Sequence, residues 1–423
     1  MRTLDANQRV SMKITLRKSS TKITSDQLCA ISFVLFFSMP LLKRILQPLP
    51  LSLYLSIVLT YTPVVLVLFL NHKRITTIDF FFLLCFVVLF FCVTYLFHPE
   101  YSYWYDRDYY GVWDYVLRPD NGIYAYFFIR NIEDPKKILK YLIISSWLMF
   151  LHLGLDFYGF IKRGYWFGSW EGKAYHSSYN LEFGYDLLLY ELVFLYSSFR
   201  FKKPAYFVMS VVGFIMILSG GSRGPIIDLL LFLIGYMFLY MEKSVRKFLS
   251  CISLISISAV FYFWYLPLMT GIRKLLEYFG LSSRFVRMML AGTIADGNGR
   301  EKIWEAAIQM IKTNPWGYGA MGSRHVISDI ILVGHPHNVI LEILIDFGVF
   351  WGSLLIVGLV VFLIKIFRTK CYEDSKGVLI IFLGYSCMLL LSGTFWHRSC
   401  TWGLLAMCMN IFYLRKRGRL GND

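Results

Sequence analysis

The sequence is poor in the features that hold soluble and secreted domains together. Charged residues make up only 17% of its 423 positions, and the 27 acidic residues are far fewer than the 43 basic ones. The eight cysteines show no paired spacing, so neither a disulfide framework nor a metal site is predicted. No internal repeat or low-complexity tract stands out. With 57% hydrophobic residues and a mean hydropathy of +0.54, the composition indicates an integral membrane protein.

Long continuous apolar runs favour helices over a closed barrel as the membrane-spanning elements. We predict an all-α, polytopic fold of about twelve transmembrane helices, with a long helical outer loop between the ninth and the tenth. Eleven spans are clear and a weaker one, 119–131, makes twelve. The predicted spans are 26–42, 51–70, 78–97, 119–131, 139–159, 181–198, 204–220, 224–241, 247–267, 338–364, 377–393 and 399–414.

The distribution of basic residues decides the predicted orientation. The weak span at 119–131 is needed because it brings six Lys/Arg clusters to the cytoplasmic side, as the positive-inside bias requires. Residues 1–25 and 415–423 are then cytoplasmic tails, while Lys43 and Arg44 fall outside and violate the rule. The net charge of +16 therefore indicates topology and not nucleic-acid binding. We expect no cleavable signal peptide, because about two dozen polar residues precede the first apolar run.

This topology divides the chain into a membrane region, 26–267, a long outer loop, 268–337, and C-terminal spans, 338–414. Smaller outer loops are expected near 98–118 and 160–180. The long loop is net positive although its length places it beyond the reach of the positive-inside bias, and an anionic ligand is one explanation.

Short amphipathic helices lying on the membrane are predicted within the long loop, at 272–279, 282–290 and 300–313. The apolar face of the last one is expected to comprise Ile303, Trp304, Ala307, Ile308 and Ile311. Asn314-Pro315 predicts the end of that helix, and 316–319 predicts a turn.

Three motifs from distant parts of the chain fall on the predicted outer face: 219–224, which contains Arg223, 297–300, which ends in Arg300, and His337-Asn338. Guanidinium groups bind phosphate through paired hydrogen bonds and stay charged. The imidazole of His337 can accept a proton from a hydroxyl near neutral pH. A lipid-linked diphosphate sugar requires both, and in principle its transfer requires no metal or other cofactor.

These residues resemble the O-antigen ligase and polysaccharide polymerase superfamily of bacterial envelopes over about 204–365. The resemblance rests on Ser222-Arg223-Gly224 after an apolar span, the loop helix with Arg300 and Trp304, the 314–319 turn, and His337-Asn338 followed after nine residues by Gly348. A glycine at that depth is expected to let a neighbouring helix approach closely.

The resemblance implies an enzyme of the bacterial cytoplasmic membrane that acts on the periplasmic side. It would transfer a glycan from undecaprenyl diphosphate to an acceptor glycan, and Arg223, Arg300 and His337 would serve that transfer. Its partners would be the lipid-linked oligosaccharide, the acceptor and the lipid bilayer, together with a flippase and a chain-length regulator.

Three functions remain open on this evidence. A repeat-unit polymerase is preferred over a ligase acting on lipid A core, because the ligase pattern expects Gly, Thr or Tyr where this chain has Trp351, and because the first outer loop is aromatic. A transporter for the same lipid-linked sugar would spread its charges through the spans and show matched broken halves, which the sequence does not.

Several other polar residues are weaker candidates. Asn338 is expected to cap its helix or orient the imidazole, and Asn338 and Arg324 are both assigned to substrate binding. His325 and His397-Arg398 are further candidates for functional residues on the predicted outer face. His335 and His337 lack a third ligand at a suitable spacing, which argues against zinc.

Acidic and aromatic clusters each have two interpretations. Asp106-Arg107-Asp108 either reaches a metal and a diphosphate, as in several membrane glycosyltransferases, or is a chance match. The tyrosines and tryptophans around it form either an interfacial belt or a platform for sugar rings. Asp156, Asp186 and Glu191 within the spans are either functional or partners of buried arginines.

Overall fold

The computed structural model describes residues 24–108, 110–170, 173–240, 244–293, 299–331 and 334–416. Most of both predicted cytoplasmic tails, together with Gly297 and Asn298, lie outside these ranges. The described chain is predominantly helical, as predicted. Its helices are α1 Ser25–Phe37, α2 Met39–Leu46, α3 Ser52–Asn71, α4 Ile75–Phe97, α5 Ser102–Tyr105, α6 Ile123–Arg130, α7 Ile138–Arg163, α8 Leu181–Phe201, α9 Pro204–Gly220, α10 Arg223–Gly235, α11 Ser244–Tyr278, α12 Arg284–Leu290, α13 Arg300–Thr313, α14 Arg324–Ile327, α15 Val339–Phe367, α16 Glu373–Ser386 and α17 Ser399–Lys416.

The predicted outer loop at 160–180 also contains a β-hairpin, which the sequence analysis did not foresee. Strands β1 (Trp166–Trp170) and β2 (Lys173–Ser177) pair antiparallel, with Trp166 opposite Ser177. Short 3₁₀ or π turns occur at Pro99–Tyr101, Trp113–Leu117, Pro135–Lys137, Tyr236–Tyr240 and Cys387–Leu390.

Four helices in the described chain are long and apolar enough to cross a membrane: α3, α4, α7 and α15. The pair α1 and α2, bent by 75° at Ser38, is a fifth candidate. Only 11% of the most apolar stretch of α15 is buried within the protein. A helix with so much exposed apolar surface needs lipid around it, which agrees with the composition.

A helix lies at each of the twelve predicted spans, but several are shorter than a span. The weak span at 119–131 contains α6, whose eight residues extend for about 12 Å at 1.5 Å per residue. The hydrocarbon core is roughly 30 Å thick. All eight residues of α6 are buried, so this helix is enclosed by its neighbours. The count of twelve crossings and the loop orientation therefore remain predictions.

Helix α8 forms the centre of the bundle and packs against α7, α9, α10 and α16. Its sequence is apolar around most of its circumference, as expected of a helix enclosed on all sides. The fully buried residues at its middle are Leu187, Leu188, Leu192, Val193 and Phe194. Its N-terminal turns carry the polar residues Tyr185 and Asp186 into the site described below.

The acidic residues predicted within spans have internal partners. Arg44 donates to Asp156 (2.6 Å), Arg398 donates to Asp186 (2.9 Å), and the hydroxyl of Ser210 on α9 donates to Glu191 (2.6 Å).

The exception to the positive-inside rule has the same explanation. Lys43 pairs with Asp120 at 2.5 Å, and Arg44 pairs with Asp156. Carboxylates of the protein thus neutralise both basic groups, which weakens the charge bias that the predicted orientation assigns to them.

The long loop is only partly built as predicted. The helix expected at 272–279 is the C-terminal end of α11, which bends at Trp264 and runs on to Tyr278. The prediction for α13 is confirmed at both ends. Its apolar face packs on α15 through Ile303, Ala307 and Met310, whereas Ile308 is 44% exposed and lies outside this contact.

Helix α15 is broken at Gly348, where the backbone has φ +78° and ψ 167°. The 314–319 turn enters this break: the Tyr318 N–H donates to Ile345 O (2.7 Å), and the Val349 N–H donates to Pro315 O (2.8 Å). A Cβ at Gly348 would lie 2.4 Å from Trp316 O. The expected neighbour of this glycine was a helix; the structure shows a turn instead, which takes over the hydrogen bonds that the break removes.

Candidate active site

The N-termini of α8, α10, α13 and α15 come together at one end of the bundle. The Asn180 N–H, at the start of α8, donates to Gly220 O (3.1 Å) in the turn before α10. The charge of Arg300, the first residue of α13, acts on Tyr185 of α8 and on His337 just before α15. Asparagine side chains cap α8 and α15, whereas α10 and α13 have no side-chain cap. The N–H groups and partial positive charge at the starts of α10 and α13 therefore favour an anion.

The turn between α9 and α10 carries the first predicted arginine. Arg223 is half-buried and is the first residue of α10. Gly221 precedes it with φ +81°, and a Cβ there would lie 2.8 Å from Cβ of Arg284. The start of α12 is thus pressed against this turn, where the Ser283 hydroxyl also donates to Leu218 O (2.5 Å).

Arg284 is a cation that the sequence analysis missed. It is half-buried, and its guanidinium carbon lies 4.5 Å from the ring centroid of Tyr179. Among the described residues, no carboxylate forms a salt bridge with Arg284 or Arg300. Two half-buried guanidinium groups without a carboxylate counterion leave their charge to attract an anionic ligand.

A buried tyrosine, Tyr185, lies within range of the charge of Arg300. The Tyr185 hydroxyl is within reach of Ser222 and Ser392, and a Cβ at Gly224 would lie 1.7 Å from it. Gly224 is therefore required for α8 and α10 to approach each other. Sequence reasoning missed Tyr185, because one tyrosine among 29 carries no signal until the packing of α8 on α10 is known.

The segment before α15 holds His337 in a fixed place. The Trp304 indole N–H of α13 donates to Pro336 O (3.1 Å). His337 has φ +51°, a left-handed conformation that is strained for a histidine and persists where its surroundings impose it. Asn338 caps α15 by accepting from the Ile340 N–H (3.0 Å), so the capping role expected for it is confirmed.

Both imidazoles of this segment are held neutral. Burial and the charge of Arg300 lower the pKa of His337 to about 4. Burial lowers the pKa of His335 well below its usual value, and its Nδ1 accepts the His337 N–H (3.3 Å). Among the described residues, the buried Nδ1 of His337 has no hydrogen-bond partner. At neutral pH, His337 is thus an unprotonated base beside a cation.

Residues 208–357 match the family described as O-antigen ligase. Over this segment, which we call the matched segment, the chain is similar to that family. The matched segment runs from α9 into α15 and includes Arg223, Arg300 and His337, and the predicted resemblance to the ligase and polymerase superfamily is confirmed over it. The match supports a membrane enzyme of ligase or polymerase type acting on lipid-linked polysaccharide in the bacterial inner membrane. No curated protein and no solved structure matches the chain.

Arg324 lies inside the matched segment but is buried, with 2% exposure. It donates to Tyr110 O and lies over the ring of Tyr115, 5.1 Å from its centroid. A Cβ at Gly334 would lie 3.0 Å from Cα of Arg324. The substrate-binding role predicted for Arg324 does not fit this placement; the side chain instead supports the segment that carries His335 and His337.

His397, outside the matched segment, belongs to the same layer of side chains. Its ring stacks on that of Tyr115 with centroids 4.2 Å apart and planes 3° apart. Burial and the neighbouring Arg398 lower its pKa to about 3. It is therefore a neutral packing group between Tyr115 and the loop before α17.

Two buried carboxyl groups on α15 were also missed. Glu342 accepts from the Thr394 hydroxyl (2.5 Å), and Asp346 accepts from the Trp396 indole N–H (2.8 Å). Both carboxyl groups lie close enough to Arg324 to interact electrostatically with its guanidinium group. Their four-residue spacing in an apolar helix places them on one face, which is the signal that could have found them. They tie the 394–396 segment to the helix that begins after His337.

The remaining candidates lie elsewhere. Asp106 and Asp108 are exposed, and Arg107 between them lies 4.7 Å from the ring centroid of Trp104. Among the described residues, no group of three or more His, Cys, Asp or Glu could hold a metal ion. His325 lies with its ring centroid 5.6 Å from that of Tyr101.

The aromatic first outer loop divides into buried and exposed residues. Tyr101 and Tyr115 are buried in the protein, and the half-buried Tyr105 donates to Ala320 O (2.6 Å). Tyr103 and Trp113 are exposed. Tyr101, Tyr105 and Tyr115 therefore serve packing. The two interpretations, an interfacial aromatic belt or a platform for sugar rings, apply to Tyr103 and Trp113.

Proposed function

We propose that the protein is a polysaccharide repeat-unit polymerase acting on the periplasmic side of the cytoplasmic membrane. It transfers a glycan from undecaprenyl diphosphate to a hydroxyl of an acceptor lipid-linked repeat unit. The observation that carries this proposal is the neutral His337 beside Arg300 at converging helix N-termini. In the cell, a flippase delivers the donor and a chain-length regulator limits the polymer.

The donor diphosphate binds to the arginines and the helix N-termini. Arg223, Arg284 and Arg300 supply guanidinium donors that match phosphate oxygens in pairs. The N–H groups at the starts of α10 and α13 add donors that need no side chain. These contacts neutralise charge on the diphosphate, which makes it a better leaving group.

His337 acts as the general base. It accepts the proton of the acceptor hydroxyl as that oxygen attacks the anomeric carbon of the donor sugar. The new glycosidic bond forms as the bond from that carbon to the diphosphate oxygen breaks. Undecaprenyl diphosphate leaves with the bonding electron pair, held by the arginines, and the proton stays on His337 until water removes it.

Donor binding strengthens this base. The positive charge of Arg300 helps to hold the pKa of His337 at about 4 in the free protein. A diphosphate paired with Arg300 brings negative charge beside the imidazole and opposes that effect. The pKa of His337 then rises towards the operating pH, where a general base is most effective.

A ligase is the second candidate, because the matching family is described as O-antigen ligase. The presence of Trp351 in place of the residue that the ligase pattern expects is a weak argument for the polymerase. Trp351 is 57% exposed on the surface of α15, so it does not line the candidate site. Gly352, next to it, packs against the backbone of Ile343 across the Gly348 break.

The products of the purified protein in lipid vesicles distinguish these functions. With one lipid-linked repeat unit as the sole substrate, we expect a ladder of longer lipid-linked chains. His337→Ala should lower the rate by about 10²–10⁴-fold, as for loss of a general base. Arg300→Ala should also lower it, and Arg300→Lys should restore it only in part because lysine lacks the planar fork.

Glu301→Gln, next to Arg300 but exposed, is the matched control and should keep the full rate. The polymerase assignment fails if no ladder forms until a lipid A core acceptor is added, which would identify a ligase. Movement of the lipid across the vesicle without a change in its mass would identify a transporter. A ladder undiminished in His337→Ala would refute the mechanism and leave the polymerase assignment intact.

A further inference from the structure

A second polar cavity lies beside the arginine and histidine site. Its volume is about 360 Å³, and it is enclosed by the α1–α2 bend, α7, α8 and the start of α17. A wider groove of about 590 Å³ shares Pro40, Lys43 and His152 with it and extends over α2 and α3. Pro40 near the start of α2 lacks the N–H that would continue α1, so the bend that opens this groove follows from the sequence.

Basic and acidic side chains, paired with one another, line the cavity and the groove. Lys43 pairs with Asp120, Arg398 pairs with Asp186, and Arg44 pairs with Asp156 at the outer groove. Three cations thus face three carboxylates, whereas Arg284 and Arg300 at the other site have no carboxylate partner among the described residues. A balanced lining gives no net attraction for an anion. It offers acceptors and charged donors to an uncharged ligand with many hydroxyl groups.

The other walls of the cavity are apolar. Met149, Leu153 and Leu189 line it beside Tyr385. Sugar rings present hydroxyl groups at their edges and C–H groups on their faces, so they need both kinds of wall. The volume falls within the range of about 300–1,000 Å³ of small-ligand sites.

The cavity lies at the same end of the bundle as His337. His397 and Arg398 form its inner wall, and the charge of Arg398 acts on His335. His397 stacks on Tyr115, which lies under Arg324. The His335 ring centroid is 4.2 Å from that of His337.

We propose that this cavity binds uncharged sugar residues of the acceptor glycan, behind the terminal residue whose hydroxyl reaches His337. The inference rests on the proposed transfer function and adds to it a separate acceptor subsite. Two sites of different charge then sort the two ends of the substrates: the cationic site takes the diphosphate, and the balanced cavity takes the glycan.

Binding of a free oligosaccharide tests the subsite without any catalytic step. The probe is the repeat-unit oligosaccharide released by mild acid from the lipid-linked material of the source strain and labelled with a fluorophore at its reducing end. Its anisotropy is measured against the full-length wild-type protein in nanodiscs. We expect saturable binding that persists in Arg300→Ala, because the diphosphate site is not involved.

Variants of the cavity should weaken that binding. Asp186→Asn removes a charged acceptor from the lining and should raise the Kd at least about tenfold. Leu153→Trp fills the cavity and should abolish binding. Asp156→Asn, at the groove, changes a side chain that is 42% exposed and therefore spares the core; we expect a rise of a few fold.

The matched control is Glu133→Gln. Glu133 pairs with Arg74 (3.6 Å) and lines another cavity of about 370 Å³, at the opposite ends of α6 and α17. It should leave the Kd unchanged. Thermal unfolding of each variant shows whether the fold persists, and if Asp186→Asn or Leu153→Trp does not fold, Asp156→Asn alone decides.

Two results would overturn the subsite. Displacement of the oligosaccharide by undecaprenyl diphosphate in the wild-type protein would assign the cavity to the donor. Absence of oligosaccharide binding to a protein that still forms the ladder would remove the subsite and leave the transfer function standing. Binding without any product would have the opposite meaning: the subsite would remain and the proposed function would fail.

Discussion

A histidine that is neutral, strained and partly buried beside an arginine has a defined titration behaviour. His337 has a pKa of about 4 because burial and Arg300 both disfavour its charged form. An ordinary histidine titrates near 6.5. The imidazole proposed as the base is therefore unprotonated through the whole physiological range, and a diphosphate at the proposed site would change the charges that keep it so.

The pH dependence of the rate should reveal this link. A base must be unprotonated, so the rate falls as the pH drops through its pKa. At limiting donor the acid limb reports the free protein and should lie near pH 4; at saturating donor it should lie at higher pH. Initial rates between pH 4 and 8 at both donor concentrations measure the two limbs.

Arg300→Gln is the informative variant for this prediction. Without the positive charge, the limb at limiting donor should move to higher pH. Identical limbs at both donor concentrations would contradict the link. The fold must be monitored in the same range: the folded pKa of His337 is depressed, so the unfolded chain binds more protons between about pH 6.5 and 4, and stability falls as the pH drops.

Helix α15 connects several parts of the candidate site. It begins at the Asn338 cap, holds Glu342 and Asp346 on one buried face, and breaks at Gly348 where the 314–319 turn enters. That turn ends α13, whose first residue is Arg300. The fit of this turn into the helix break and the hydrogen bond from Trp304 to Pro336 therefore both help to set the distance between Arg300 and His337.

Gly348→Ala should disrupt this fit. The substitution places a Cβ in a backbone with φ +78° and 2.4 Å from Trp316 O. The backbone strain alone costs about 1–3 kcal/mol, and the contact adds to it. We expect a lower midpoint of thermal unfolding and a loss of transfer activity.

Gly358→Ala on the same helix is the matched control. A Cβ there meets nothing within 4 Å, and alanine in a helix interior stabilises by about 0.5–1 kcal/mol relative to glycine. Its unfolding midpoint should stay the same or rise. Equal midpoints for the Gly348→Ala variant and the wild-type protein would show that the turn does not depend on this glycine.

For the molecule as a whole, the open question is which ends of the helices face the periplasm. Arg223, Arg300 and His337 are proposed to lie on the outer side, and the loop joining α3 to α4 on the inner side. The best positions for cysteine labelling are exposed ones. Gly221 and Gly334 are poor choices, because a Cβ at each would crowd Arg284 or Arg324.

Single cysteines at Ser282 and Glu301, both exposed, should react with an impermeant thiol reagent in intact spheroplasts of a cysteine-free variant. A cysteine at His72, which is exposed between α3 and α4, should react only after permeabilisation. The reverse pattern, or reaction of all three positions in intact spheroplasts, would refute the proposed orientation.

Much of this protein follows from local sequence. Apolar runs fix the class and the helix positions, since lipid requires every backbone group to be bonded within a helix. The bounds of α13 follow from its apolar periodicity and from Asn314-Pro315, and the Asn338 cap follows from residue type. The motif residues Arg223, Arg300 and His337 are recognisable from the resemblance of the surrounding sequence to the ligase and polymerase superfamily, and each begins or precedes a helix.

What the sequence could not supply depends on contacts between distant segments. From sequence alone Arg324 is a candidate ligand-binding residue, but in the structure it is buried against Tyr115. Arg284 gives no signal in the sequence beyond an ordinary surface charge, but in the structure it lies against the α9–α10 turn. The sequence predicts that Gly348 packs against a neighbouring helix, but the structure shows a turn at this glycine. Burial and charge at each of these positions are set by chain segments far away in sequence, so they exist only once the helices have packed.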